Sequence, residues 1–257
     1  MAGAPLPETV GGRDRGVELL SSLTLVLPAH NEAENLGWLI PEASARLAEL
    51  ATEFDVVLVD DGSADGTSTV AEEAAASAGL ALTVIRHPGK EGYGAAVGDG
   101  LRAARGDFVA FTDADGQFEV GDLALLIPLL AEADLVGGWR AVRQDAAARS
   151  VVSGAFNLAV RVVLGLRIRD VDCALKIMRR EVLDAVDLEM RSALMNAELY
   201  LKARRAGFRI AQAAVPHHAR RAGRRSGARP RAVARAIRDL VRMRLRLSRA
   251  NRHRRLV

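Results

Sequence analysis

The sequence predicts an α/β protein: a largely parallel sheet with helices on both faces. Two observations predict it. Short apolar runs rich in β-formers alternate with helical stretches from residue 23 to 137, the rhythm of parallel strands joined by helical crossovers. Polar, acid-bearing clusters then follow three of those runs. In open α/β sheets ligands bind outside the carboxyl ends of the strands, so the three clusters point to one shared crevice.

The elements run in order. Leu23–Leu27 reads as a buried strand stopped by Pro28. Asn31 to Leu50 reads as a helix, with Asn31 as its N-cap and Glu32 and Glu34 in its first turn. Asp55–Val59 is a second strand, ending in Asp60-Asp61-Gly62-Ser63, and Thr67 to Gly79 a second helix. Leu82–Ile85 is a strand, Gly94 to Ala104 a helix, and Phe108–Thr112 a strand ending in Asp113-Ala114-Asp115-Gly116. A helix from Val120 to Ala131 and a strand over Asp134–Gly137 close the first half. Beyond Arg140 the pattern changes. Arg149 to Leu166 reads as a helix, Ile168–Met178 as extended chain, Arg180 to Val186 and Asn196 to Gly207 as helices, and Arg209–Val215 as a strand stopped by Pro216. A basic loop, His217–Pro230, precedes an Arg-rich helix from Arg231.

The chain has 257 residues, 49% hydrophobic and 26% charged, enough to bury a large core and far from the composition of a disordered chain. Aromatic residues are only 4%, which disfavours a single-strand nucleic-acid reader built on stacking platforms. The one cysteine, Cys173, forms no intrachain disulfide and fits a reducing compartment. The overall charge of +4 hides a split: residues 203–257 hold eighteen arginines and one acid, a net +17, leaving −13 on the first 202 residues. Such a tail should meet an anionic partner. No apolar run reaches the roughly 20 residues that cross a bilayer, and the expected location is cytoplasmic, at the inner face of the membrane.

Asp113 and Asp115 form a D-x-D at a strand end, where two carboxylates can converge on a hard cation such as Mg²⁺ or Mn²⁺, with Gln117 as a further ligand. Acids at strand ends also serve as turn formers, so the pair alone fits either role. Asp60 and Asp61 can accept from a base or a ribose hydroxyl, or can form an Asx turn into the next helix. Lys90, Gly92 and Gly94 precede a helix whose N-terminus could face phosphate, or form a plain glycine loop. Neither the P-loop signature nor the dinucleotide-binding glycine signature after strand one occurs. Glu198 lies mid-helix, where a solvated face is the simplest reading. Trp38, Trp139 and Cys173 read as packing residues, and His217 and His218 lack metal-ligand spacing.

Taken together, Leu27-Pro28-Ala29-His30-Asn31-Glu32, Val59-Asp60-Asp61-Gly62-Ser63-Ala64-Asp65-Gly66-Thr67, Gly92-Tyr93-Gly94-Ala95-Ala96 and Asp113-Ala114-Asp115-Gly116-Gln117 resemble family 2 glycosyltransferases of the GT-A fold. Within that family the likeness is to dolichol- or polyprenol-phosphate mannose synthases and their bacterial relatives. The likeness runs from about residue 23 to 228, so the chain divides into a loose tail over residues 1–20, a GT-A domain over 21–228, and a basic amphipathic helix over 229–257. It implies a nucleotide-sugar donor whose base and ribose meet Glu32 and Asp60, with Pro28, Ala29 and Asp61 beside them. Lys90, Ala114 and Arg220 would complete the donor site. Asp113, Asp115 and Gln117 match the metal and diphosphate site. Arg140 and Arg149 match arginines that hold acceptor phosphate and donor diphosphate, and Asp170 matches an acid of the same site. Ala174 and Leu175 stand where the family has Gly-Phe. Arg220, Gly223 and Ser226 resemble a loop that closes over the donor.

The implied reaction is inverting transfer of one sugar, of GDP-mannose or UDP-glucose type, to a polyprenyl or dolichyl phosphate. A divalent ion and arginines would stabilise the leaving diphosphate. A phosphate acceptor needs no general base, because its second pKa of about 6 leaves it dianionic near neutrality. The Q-x-x-R-W of processive synthases is absent. In the tail, Val233, Ile237, Leu240, Val241 and Leu245 recur near helical spacing among arginines, a pattern that lies on anionic membranes or packs on its own domain. Two alternatives stay open: a family 2 enzyme acting on a hydroxyl, with Glu198 or Asp170 as base, and a non-catalytic nucleic-acid binder working through the tail. No nucleic-acid-binding motif is present, and no nucleic-acid partner is expected.

Overall fold

The computed structural model describes residues 19–141, 147–222, 238–240 and 243–244. Its elements are β1 (Leu20–Ala29), α1 (Ala33–Ala48), β2 (Ala51–Asp60), α2 (Thr67–Ala78), β3 (Leu82–Arg86), α3 (Tyr93–Ala103), β4 (Phe108–Phe111), β5 (Leu135–Arg140), α4 (Ala147–Leu164), β6 (Lys176–Arg179), α5 (Arg180–Ala185), α6 (Met195–Arg205) and β7 (Ile210–Val215). They build one seven-stranded sheet in the order β3-β2-β1-β4-β6-β5-β7. Six strands run the same way. Only β6 is reversed, antiparallel to both β4 and β5.

Alternating side chains of the central strands feed two cores. Leu23, Leu25 and Leu27 of β1 and Leu58 of β2 enter the layer against α1 and α2. Val26, Val57 and Val59 enter the other, against α3 and α6. A strand buried on both faces must be apolar at nearly every position, which is why these runs are so plain in the sequence.

Several boundaries differ from the sequence reading. Pro28 does not stop β1, which continues to Ala29, and Leu20 already belongs to the strand rather than to a tail; residues 1–18 lie outside the described residues. Asn31 is not an N-cap. It sits at φ 57°, in the left-handed region, and its Oδ1 accepts from Ala64 N at 2.9 Å. The start of α1 is capped instead from the next loop, as Glu32 N donates to Thr67 Oγ1 and Ala33 N to Asp65 Oδ2. The helix expected over 120–131 is two 3₁₀ turns, Val120–Leu125 and Ile127–Ala131, because Pro128 has no N–H for an α-helical ladder. Of the extended segment 168–178, only the end is strand.

The Arg-rich helix is seen at residues 238–240 and 243–244, and the rest of 229–257 is outside the described residues. Leu240 and Met243 are buried in the second core, and Ser192 Oγ donates to Asp239 Oδ2 at 2.7 Å. This part therefore packs on its own domain, with Arg238 and Arg244 exposed.

The N-terminus of α3 is seated on the 190–192 backbone. A Cβ at Gly94 would lie 2.4 Å from the carbonyl oxygens of both Met190 and Ser192. Gly94→Ala should therefore lower stability by about 1–3 kcal/mol, read as a reduced urea midpoint with unchanged m-value.

Candidate active site

Strand direction brings the polar segments together. β2, β1 and β4 are adjacent and parallel, so residues 28–32, 60–63 and 113–117 leave the sheet side by side at its carboxyl edge. The reversed β6 begins at that same edge, and β5 and β7 end there. Asp170–Leu175, Arg140 and the 216–222 segment thus join the first three clusters. Pro28 and Ala29 are buried where β1 ends, with Ala29 opposite Asp60.

Arg220 is the centre of the cluster. Its Nη1 lies 3.2 Å from Asp115 Oδ2, its Nη2 pairs with Glu32 Oε1, and its Nε donates to the Ala222 carbonyl. The three side chains are about nine-tenths buried, at 10–12% exposure. Burial raises the Glu32 carboxyl, against the lowering effect of hydrogen bonds from Asn35 and Arg220. Asn35 Nδ2 donates to Glu32 Oε2 at 2.7 Å.

Asp113 lies next to this group. Burial, and then the Asp115 charge, push its carboxyl up to about 7. The Tyr93 phenol hydrogen-bonds it, yet Asp113 Oδ1 is shut off from solvent with no hydrogen-bond partner. Asp115 Oδ1 accepts from Gln117 N at 3.1 Å. Ala114 is buried between them. Gln117 is tied to the 216–222 segment at both ends: its Nε2 donates to the His218 carbonyl, and its own carbonyl accepts from His218 N. His217 is buried edge-on to Phe118, ring centroids 5.3 Å apart. The two histidines thus anchor the loop that delivers Arg220.

Asp60 accepts from Ser63 N and from the Ser68 hydroxyl at 2.6 Å. Asp61 accepts from the backbone N–H groups of Glu91 and Gly92 and from His87 Nδ1 at 2.9 Å. Both carboxylates therefore fold the strand-end loops together. Gly62 has φ 70°, and a Cβ there would come within 2.5 Å of Gly89, so only glycine permits this contact. Lys90 is exposed on the same loop.

On the far side Arg140 and Asp170 form a two-pronged pair, Nε to Oδ2 at 2.7 Å and Nη2 to Oδ1 at 2.8 Å, at 12% and 5% side-chain exposure. That pairing raises the arginine further, against burial, and engages both Asp170 oxygens. Arg149 lies in α4, and its side chain is outside the described residues. Glu198 is not on a solvated face. It is 2% exposed, its Oε2 accepts from Glu189 N and Met190 N, and its Oε1 pairs with Lys202. It is a structural cap.

Sequence reasoning missed three residues. Tyr93 was seen only as part of a glycine loop. Lys176 is fully buried, its Nζ donating to Asn196 Oδ1 at 2.9 Å and to the Cys173 carbonyl and sitting 5.0 Å from the Phe111 ring centroid. Burial lowers it to about 8. A lysine opening an apolar strand was the available signal. The third, His87, is taken up below. Trp38 packs against the first core as expected, with Arg221 stacked on its ring, while the half-buried Trp139 carries the Arg169 guanidinium.

A mostly parallel sheet with acids on three adjacent strand ends, a reversed strand returning to them and a basic loop folded over the top is the layout of a GT-A glycosyltransferase domain. The chain belongs to glycosyl transferase family 2, whose profile matches residues 24–187. It is 32% identical over 223 residues to the dodecaprenyl-phosphate galacturonate synthase of Rhizobium johnstonii, covering 84% of this chain and 64% of that one. It is 35% identical over 165 residues to the undecaprenyl-phosphate 4-deoxy-4-formamido-L-arabinose transferase of Pseudomonas fluorescens, covering 64% and 48%. The chain thus spans between about half and two thirds of the length of these relatives. Among solved structures, glucosyl-3-phosphoglycerate synthase from Mycobacterium tuberculosis in complex with Mn²⁺, UDP and phosphoglyceric acid superposes with a TM-score of 0.68 at 23% identity, over 87% of this chain and 78% of that one. That likeness shows the fold.

Removing one partner of a buried ion pair leaves the other uncompensated. Asp170→Asn should cost about 3–5 kcal/mol, and the Arg140→Met/Asp170→Asn double variant less than the sum of the singles, as measured by a denaturation cycle.

Proposed function

We propose that this chain is an inverting glycosyltransferase that moves one sugar from a nucleoside-diphosphate sugar, of GDP-mannose or UDP-glucose type, to a polyprenyl phosphate. The observation that carries this reading is the carboxyl edge itself. Glu32, Asp60, Asp113 and Asp115 line one side, and Arg140 stands across from them on β5. The two curated relatives are named for transfer to polyprenyl phosphates.

The residues fit a divalent cation. Asp113 Oδ1 is a buried oxygen with no hydrogen bond, and the Asp115 carboxylate already holds a positive charge, that of Arg220. Asp113, Asp115 and Gln117 would hold Mg²⁺ or Mn²⁺, which supplies charge neutralisation for a leaving diphosphate. The solved relative carries Mn²⁺ and UDP. Glu32 and Asp60 present acceptors to base and ribose, with Pro28, Ala29 and Asp61 forming the floor. Lys90 and Ala114 flank the diphosphate. Arg220, once exchanged from Asp115, donates to phosphate oxygens. Arg140 and Arg149 orient the acceptor anion.

A hydroxyl acceptor would need a free base. Asp170 is committed to Arg140 and Glu198 to backbone N–H groups, which favours an acceptor that arrives already ionised. No helix among the described residues is long and apolar enough to cross a membrane. In this reading arginines of the 229–257 segment meet anionic head groups at the cytoplasmic face.

Incubation with Mn²⁺, each of several nucleotide sugars and undecaprenyl phosphate should give a labelled lipid with one donor. Label appearing only in a water-soluble product would overturn the acceptor assignment. Asp115→Ala should reduce lipid labelling by about a hundredfold or more.

Metal binding should also depend on pH. A carboxyl raised to about 7 is protonated in the folded chain below that pH. Without metal, the folded state is therefore favoured at low pH, and this advantage is lost as pH rises toward 7. Mn²⁺ must displace the proton, so the rise in melting temperature on adding Mn²⁺ should grow as pH rises through about 7, and the growth should vanish in Asp113→Asn.

A further inference from the structure

His87 lies just beyond β3 with 6% of its side chain exposed. Its Nδ1 is 2.9 Å from Asp61 Oδ1 and its Nε2 3.0 Å from Asp99 Oδ2. Both partners are carboxylates, which only accept. A neutral imidazole has one N–H, so one nitrogen would then turn a lone pair toward a carboxylate. The geometry calls for the imidazolium.

The charge is placed to hold a loop. Asp61 Oδ1 is shared among His87, Glu91 N and Gly92 N, and Gly92 N also reaches Asp61 Oδ2 at 3.0 Å. The His87 N–H donates to the Asp60 carbonyl, and Asp61 N to that of Ala29. One cation thereby ties the ends of β1 and β2 to the segment that starts α3.

We propose that His87 is a positioning residue of the donor site: as an imidazolium between Asp61 and Asp99 it locks the Lys90–Gly92 loop against the ends of β1 and β2. This rests on the donor site described above. The residue touches no reacting atom and acts through Asp61.

The groups facing His87 are Asp61 just beyond β2, Asp99 from α3 and Glu91 from the loop before α3. Asp99 is also paired with Arg102, and Glu91 with Arg191. Ligand atoms of His87, Glu91 and Asp99 lie within 4.8 Å of one another, but both ring nitrogens and both acids already have protons or guanidiniums as partners. The hydrogen bonds to Asp61 and Asp99 raise His87 above its ordinary value of 6.5, against burial. The clamp is therefore complete below that raised value and opens as pH rises through it.

Calorimetric titration with UDP and with GDP, each with Mn²⁺, tests this across the pH range. Relative to His87→Gln, which keeps the Asp113 dependence on Mn²⁺, the wild type should bind roughly tenfold more tightly while His87 is charged and lose that margin as it deprotonates, the loss of one charge-assisted hydrogen bond. Asp99→Asn keeps Asp61 and the histidine but removes one charge, so its step should move to lower pH, a change that a packing role would not produce. Imidazole ¹⁵N spectra should show both His87 nitrogens protonated at pH 6.5. A wild type that binds neither nucleotide rejects the donor reading beneath the proposal. Binding that is equal in wild type and both variants at every pH, or a neutral His87 at pH 6.5, overturns the proposal itself.

Discussion

Carboxylates crowded at one edge of a sheet repel one another, and each needs a proton, a cation or N–H donors to stay buried. The tertiary structure around the carboxyl edge is largely an answer to that constraint. Asp60 is satisfied by Ser63 and Ser68, and Asp61 by two backbone N–H groups and His87. Asp170 has Arg140. Glu32 and Asp115 share Arg220. Asp113 is left with an unbonded oxygen and holds on to a proton. The least satisfied member of the set is the one beside which a divalent ion would be most welcome.

Arg220 is the cation that this cluster shares. Folded down, it neutralises Glu32 and Asp115 from a loop pinned by Gln117 and His218. In the proposed reaction Asp113 and Asp115 would hold a divalent ion that neutralises the leaving diphosphate, and Arg220 would donate to the diphosphate oxygens. Asp115 would then keep a cationic partner with or without the ligand. Exchange of one cation for another at the same carboxylate is less costly than leaving that carboxylate buried without one.

The basic tail and the acidic body also belong to one charge economy. The described part of the final helix is fixed through Leu240, Met243 and the Ser192–Asp239 bond. Its arginines at 238 and 244 stay exposed. Among the described residues of this helix, the apolar side chains Leu240 and Met243 face the domain.

The amino-acid sequence determined the architecture and the cast of the site. Strands such as Leu23–Leu27 and Asp55–Val59 are buried on both faces and so are apolar almost without interruption, which makes them legible one residue at a time. Glycines at turns and acids at strand ends were readable for the same local reason. What only the tertiary structure decided is who neutralises whom. Arg220 meets Glu32 across 188 residues and Asp115 across 105, and no periodicity encodes such a distance. Lys176, at the start of β6, is enclosed by Phe111, Tyr200 and Asn196 from other elements. Asn31 looked like a cap until the β2–α2 loop supplied better partners for α1. Secondary structure follows from local pattern and burial. Charge pairing follows from which strand ends are neighbours, and that was fixed only when β6 turned back into the sheet.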